Sequence, residues 1–347
     1  MTHMASTILA VRSALAVVAR HIPTTIFTFM IVGAILYCVH VRKRNENLSL
    51  AGFFRFCFPV EHWFTSSTRV DVVIYLISKV TQKVVTLGCQ LGMTLLVSWI
   101  VLGFKNHFHL TAPFHESFLA LAIIVVLVFL LTDFAEFLSH YVQHRIPMLW
   151  EFHKVHHSAT FLTPFTTTRF HPIGNLIDGI FMSTFIIPAV VVAELCFNLS
   201  LVRIVELNAM VELFFTFTLL RQLQHSHFRI SFGPLDRIFI SPLMHHVHHS
   251  AKHEHWDKNF GSRLSVWDWL FGSAFLLPKS EPVRFGLGTI EDERGDYSTV
   301  KACYVRPMTG FYQLLKAEIL HSIAEDRPEL AKRIEAEQHE PALSRAS

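Results

Sequence analysis

Residues 118–131 form an unbroken apolar run, and the same stretch continues without proline or glycine through Asp133 and Glu136 into His140 and His144. A helix crossing the ~30 Å hydrocarbon core of a bilayer needs about 20 mostly apolar residues. The run and its continuation therefore read as a membrane helix that emerges carrying histidines. Further candidates lie at about residues 22–38, 84–104, 176–193 and 204–220, whereas residues 71–80 are too few to cross. With 51% hydrophobic and 16% charged residues and a mean hydropathy of +0.39, the bilayer is the expected solvent.

Arg42, Lys43 and Arg44 directly follow the first apolar run and place that end in the cytoplasm. The residues before it, broken by Arg12 and Arg20, read as an amphipathic lead-in helix rather than a signal peptide. The polar stretch 105–116 turns the chain back, and Glu194, Asn198 and Arg203 separate the arms of a second hairpin. Counting crossings puts residues 140–171 on the cytoplasmic side and returns the chain there by His225. The expected fold is all-α and integral to the membrane. Four to five transmembrane helices in hairpins carry a cytoplasmic helical cap with a histidine-ligated di-metal site. The divisions expected are 1–48 for the lead-in and first membrane helix, 49–279 for the membrane-embedded catalytic domain, and 280–347 for a polar cytoplasmic tail. The net charge of +3 argues against nucleic acid as a partner, and five scattered cysteines without a C-x-x-C pair argue against a disulfide framework or zinc ribbon.

Of 23 histidines, 14 fall between His140 and His255, and their spacing is phased. His140 and His144 are four apart, so on a helix they share a face. Asp133 and Glu136 lie on that face and are positioned to accept a ligand ring N–H, which would set its tautomer. The groups His153, His156, His157 and His245, His246, His248, His249 both contain H-x2-H-H, whose members converge on one helical side. His225, with His227 two residues on, comes where the second hairpin leaves the membrane. Eight to ten convergent imidazoles exceed the ~4 ligands of a structural zinc site, so two ions are expected. Imidazole suits zinc, copper, iron and nickel. Iron is favoured because oxygen chemistry needs a change of oxidation state, with zinc as a possible substitute.

Other readings are a pH-sensing histidine cluster and a histidine-rich membrane metal transporter, for which Asn208 and Glu212, four apart in the last span, provide a foothold. A metalloprotease is not supported, since no H-E-x-x-H occurs. Isolated histidines such as His62, His115 and His321 read as surface or core residues.

Between Asp133 and Ser273 the chain carries D-F-A-E-F-L-S-H, P-M-L-W-E-F-H-K-V-H-H-S, R-F-H-P at Arg169–Pro172, Q-H-S-H at Gln224–His227, S-P-L-M-H-H-V-H-H-S, D-K-N-F-G and W-D-W-L-F-G-S. In these motifs it resembles the fatty acid hydroxylase and sterol desaturase superfamily of membrane di-iron proteins, and its wording looks most like bacterial members. The resemblance implies metal ligation by His140, His144, His153, His156, His157, His225, His245, His248 and His249. His227 is a candidate for one further ligand, and His171 for a second layer around the metals or a substrate contact. His246 should point about 100° away from His245. Asn259, Gly261, Trp267 and Asp268 match a closing motif and should pack and orient the third histidine group. One departure is Tyr141, where many relatives have arginine after the first histidine.

The resemblance further implies O2 as cosubstrate, two iron ions, a lipid substrate and a separate electron donor, of the ferredoxin or cytochrome b5 type with a reductase. No nicotinamide, flavin or fused haem signature is present. The expected reaction is hydroxylation of an unactivated C–H bond in a membrane lipid, with sterol or lipid desaturation as the alternative. The expected location is a bacterial inner membrane, or the endoplasmic reticulum in a eukaryote.

Overall fold

The computed structural model describes residues 21–109, 117–197, 199, 201–278 and 280–326. The expected lead-in helix before residue 21, part of the turn at 110–116 and the tail after residue 326 lie outside them. Among the described residues the regular structure is helical, with two isolated bridges, Phe239 to Leu264 and Ser250 to Phe285. In chain order the helices are α1 (His21–Arg44), α2 (Leu50–Cys57), α3 (Val60–Trp63), α4 (Ser66–Phe108), α5 (Phe118–Arg145), α6 (Pro147–His157), α7 (Pro172–Phe197), α8 (Leu201–Thr218), α9 (Pro242–His248), α10 (Val266–Phe271), α11 (Ile290–Glu293) and α12 (Val300–Asp326).

Among the described residues four segments are long and apolar enough to cross a membrane: Ile26–Arg44, Ser66–Phe108, Phe118–Arg145 and Pro172–Phe197. The separate short segment expected at 71–80 does not exist. It is the first part of the 43-residue α4, capped by the Thr65 side chain on the Thr68 N–H. That part of α4 belongs to the polar cap, where Val70 and Ile74 pack with Val155, Leu287, Tyr297 and Cys303. The last expected span, α8, is an 18-residue helix that carries Arg203, Glu206 and Glu212.

Ser117 caps α5 through the Ala120 N–H, and its apolar first half packs with α4 and α7 around Val97, Val101, Ile124, Val128 and Val190. Pro147 at the first turn of α6 ends one helix and starts the next, since proline lacks the N–H that continuation needs. The chain bends there and turns His153, His156 and His157 back towards the end of α5. Ser241 caps α9 through the Met244 N–H, with Pro242 again at the first position.

Among residues 280–326, Leu287, Tyr297 and Cys303 pack into this cap. Arg169, 1% exposed, explains how they are held. It donates to Asp71 Oδ1 at 2.7 Å, the Val155 carbonyl at 2.9 Å, Ser158 Oγ at 2.9 Å and the Tyr297 carbonyl at 3.0 Å. One guanidinium thereby joins α4, α6 and the approach to α12, which a planar five-donor fork can do and an ammonium cannot.

Candidate metal centre

Nine histidines from α5, α6, the turn after α8, and α9 meet at one end of the apolar helices. His140, His144, His153, His157 and His248 form one group, and His156, His225, His245 and His249 another. Within each, the nearest ring nitrogens lie within 4.8 Å of one another. The groups share a wall, since the His157 and His249 rings stack at 4.5 Å. His156 and His157, adjacent in α6, divide between them.

In the second group Nε2 of His225 lies 3.1 Å from that of His156, 3.0 Å from that of His245 and 3.2 Å from that of His249, and the last two are 3.1 Å apart. A neutral imidazole has one N–H, so these mutual approaches cannot all be hydrogen bonds. Nitrogens ~2.0–2.1 Å from a common ion are separated by roughly 3.0–3.4 Å, which is the spacing seen. In the first group His144 and His157 approach at 3.1 Å, while Nε2 of His140, His153 and His248 is buried with no hydrogen-bond partner. Buried polar atoms are rarely left in that condition unless something else engages them. The donor set therefore fits two ions.

In two of the rings the opposite nitrogen is held by a backbone carbonyl. Nδ1 of His140 lies 2.8 Å from the Phe260 carbonyl and Nδ1 of His248 lies 2.8 Å from the Lys258 carbonyl. A carbonyl only accepts, so both rings carry their proton on Nδ1 and present Nε2 as a lone pair. His144 faces Asp257 at 3.5 Å, and His225 faces Thr167 Oγ1 at 3.3 Å. Burial first, and then neighbouring imidazoles, hold His153, His156, His157, His245, His248 and His249 well below the ordinary imidazole range. Burial likewise holds His225 at about 3. The rings are neutral at physiological pH, the form that binds metal.

The expected role of Asp133 and Glu136 is not what the structure shows. Both turn to Arg263, which reaches Asp133 Oδ1 at 3.2 Å and Glu136 at 3.0 and 3.1 Å, and which also binds Glu212. Arg221 joins Glu136 at 3.1 Å. A buried guanidinium outcompetes a neutral imidazole for a carboxylate, and Arg263 lies too far along the sequence for helical spacing to reveal it. Glu212 thus joins an ion-pair cluster centred on Arg263.

His227 and His171 lie outside both groups. His227 Nε2 is 2.9 Å from the Phe56 carbonyl. His171 sits at the start of α7, where Nδ1 accepts the Ile173 N–H at 3.2 Å and Nε2 lies 3.2 Å from the Tyr304 carbonyl. His246 points away from His245 and packs against Phe285.

The closing-motif residues surround the loop that meets His140. Asp268 accepts the N–H groups of Phe260 at 2.8 Å and Gly261 at 2.9 Å, and the Ser273 hydroxyl at 2.6 Å. Burial pushes its carboxyl up to about 6. Asn259, at φ 54°, donates to the Met244 carbonyl within α9 at 3.0 Å and exchanges hydrogen bonds with Phe275. Trp267 donates to Asp133 Oδ2 at 2.8 Å. A Cβ on Gly261 would lie 2.5 Å from the Leu264 carbonyl oxygen, so the close approach needs glycine. Phe260 closes over His140, His144 and His248, and Phe170 stacks on His156 at 4.2 Å.

Comparison with known proteins places this geometry. Residues 125–273 match the model of the fatty acid hydroxylase family. An ornithine lipid hydroxylase of Rhizobium tropici is 28% identical over 167 residues, 47% of this chain and 45% of its own. Alkylglycerol monooxygenase of Danio rerio is 29% identical over 172 residues, 48% of this chain and 34% of its own, and the Homo sapiens enzyme is 29% identical over 162 residues, 46% and 32%. The chain thus spans less than half the length of these relatives. No solved structure matches it.

Proposed function

We propose that this chain, which belongs through residues 125–273 to the fatty acid hydroxylase family, is an O2-dependent di-iron hydroxylase of a membrane lipid. The observation that carries this reading is the gathering of nine imidazoles into two adjoining groups at one end of apolar helices. Two iron ions held there would supply one-electron redox chemistry for activating oxygen and oxidising an unactivated C–H bond.

The protein's own contribution is orientation and exclusion. His140 and His248 are aimed by backbone carbonyls, so their lone pairs need no reorganisation when an ion binds. Phe260, Phe170 and Trp150, whose ring is 4.8 Å from His144, line the site with apolar surface and keep water from it. Trp150, Trp256, Asp257 and Glu291 border a cavity of about 240 Å³ that reaches His144, His157 and His248. This cavity is the route we assign to oxygen and protons.

Relatives named as a hydroxylase of ornithine lipid and a monooxygenase of alkylglycerol support a membrane lipid as substrate. Electrons would come from a separate carrier. The basic end of α1, just before the short helices that pack beside His227, supports a cytoplasmic position for the site.

The test combines metal analysis of purified protein with lipid mass spectrometry of cells with and without the gene. Two irons per chain and a lipid that gains one oxygen atom only when the gene is present are expected. Loss of two hydrogens instead would assign desaturation. Metal flux into proteoliposomes without O2-dependent turnover would overturn the reading in favour of transport.

A further inference from the structure

A cavity of about 600 Å³ lies against the back of the four-histidine group. Each segment that supplies that group also walls the cavity: Leu162 follows His156, His227 follows His225, and His246 adjoins His245. Arg229 and Arg284 bring two guanidinium groups to its wall. Arg229 is anchored at the cavity's edge by the Glu281 carbonyl. His62, whose ring lies 5.9 Å from that of His227, has its Nδ1 buried without a hydrogen-bond partner. Of the carboxylates present, Asp292 is occupied by the Gly288 N–H at 2.8 Å, and Glu293 is exposed.

The depth of this cavity distinguishes it from a site for a soluble anion. The His227 ring lies 6.1 Å from Phe29 of α1, a candidate membrane span, and 6.5 Å from Phe56 of α2. Phe29, Phe58, Trp63 and Phe228 continue the aromatic layer below. Tryptophan and tyrosine gather where hydrocarbon gives way to lipid head groups, and Trp63 stands in this layer. A cavity at that level, with the Arg229 and Arg284 guanidinium groups beside the Asp292 and Glu293 carboxylates, is placed for a molecule with one polar end and one apolar end.

We propose that this cavity seats the anionic group of a membrane lipid head, a phosphate or carboxylate clamped by Arg229 and Arg284. Planar guanidinium groups pair with such oxyanions through two parallel hydrogen bonds. Resting on the hydroxylase reading, the head so held is that of the substrate, and the cavity decides which lipid presents a C–H bond to the metals.

The test reconstitutes the metal-loaded full chain in nanodiscs of equal parts phosphatidylglycerol and digalactosyldiacylglycerol, whose head has no anionic group, and counts retained lipids by native mass spectrometry. Wild-type protein should keep phosphatidylglycerol in preference, and excess inorganic phosphate should not displace it. Arg229→Gln with Arg284→Gln should lower that preference by about tenfold or more, and Arg284→Gln alone by a smaller factor, with metal content unchanged. Equal retention by wild type and both variants would overturn the proposal, as would displacement by inorganic phosphate, which would mark a site for a free anion. Selective retention in a protein that lacks oxygen-dependent turnover would instead count against the hydroxylase reading alone.

Discussion

Nδ1 of His140 lies 2.8 Å from the carbonyl oxygen of Phe260, although 120 residues separate them in the chain. That carbonyl stands where it does because Asp268 holds the N–H groups of Phe260 and Gly261. Replacing Asp268 with alanine leaves three buried donors without this acceptor, the two N–H groups and the Ser273 hydroxyl, at about 1–3 kcal/mol each. Asp268→Ala should therefore lower the melting temperature and release metal first from the group containing His140 and His248. An unchanged ratio of metal to chain would show that the loop does not orient these rings.

His156 and His157 are adjacent but belong to different groups. His156→Ala should abolish turnover and reduce metal content towards one ion per chain while the protein still inserts in the membrane. His157→Ala should deplete the other ion. By contrast, His246→Gln and His227→Gln should keep both ions, since neither ring joins a group. Elemental analysis of the four purified variants checks the assignment, and full activity in His156→Ala would remove it.

Arg169 and Asp71 form a buried ion pair at 2.7 Å, 1% and 0% exposed. Removing one partner strands a charge and typically costs about 3–5 kcal/mol. Arg169→Met should thus destabilise the cap, and adding Asp71→Leu should recover much of the loss because the stranded carboxylate is gone. Thermal unfolding in detergent measures both. Equal melting of Arg169→Met and wild type would contradict the bracing role.

The buried histidines make the metal-free protein acid-sensitive. His225 is held at about 3 when folded, against about 6.5 for an ordinary imidazole. Between these values the unfolded chain binds a proton that the folded one refuses, so stability falls as pH drops from about 6.5 towards 3. The other buried rings shift in the same direction and add to the effect. Melting of chelator-treated protein should therefore fall steeply across that window. A flat profile from pH 7 to pH 4 would mean that the rings are solvated.

Much of the site was legible in the sequence because its signals are local. An i, i+4 pair needs one turn of helix to bring its members together, and His140 with His144, or His245 with His249, do meet in this way. The membrane helices were legible for a similar reason, although α4 joins a polar beginning to an apolar remainder, and no apolar run marks that union. Asp133 and Glu136 show the limit of such reasoning. Helical phase puts them on the face of His140, but Arg263, which claims them, arrives from beyond α9.

By itself, then, the chain determined which residues are apolar enough to leave water and which imidazoles share a helical face, since both depend on neighbours within a few positions. Only the tertiary structure decided how nine rings divide into five and four, that backbone carbonyls rather than carboxylates aim two of them, and that His227 walls a separate cavity instead of joining either group. Those outcomes rest on contacts between segments remote in sequence, and burial makes such segments compete for the same few donors and acceptors.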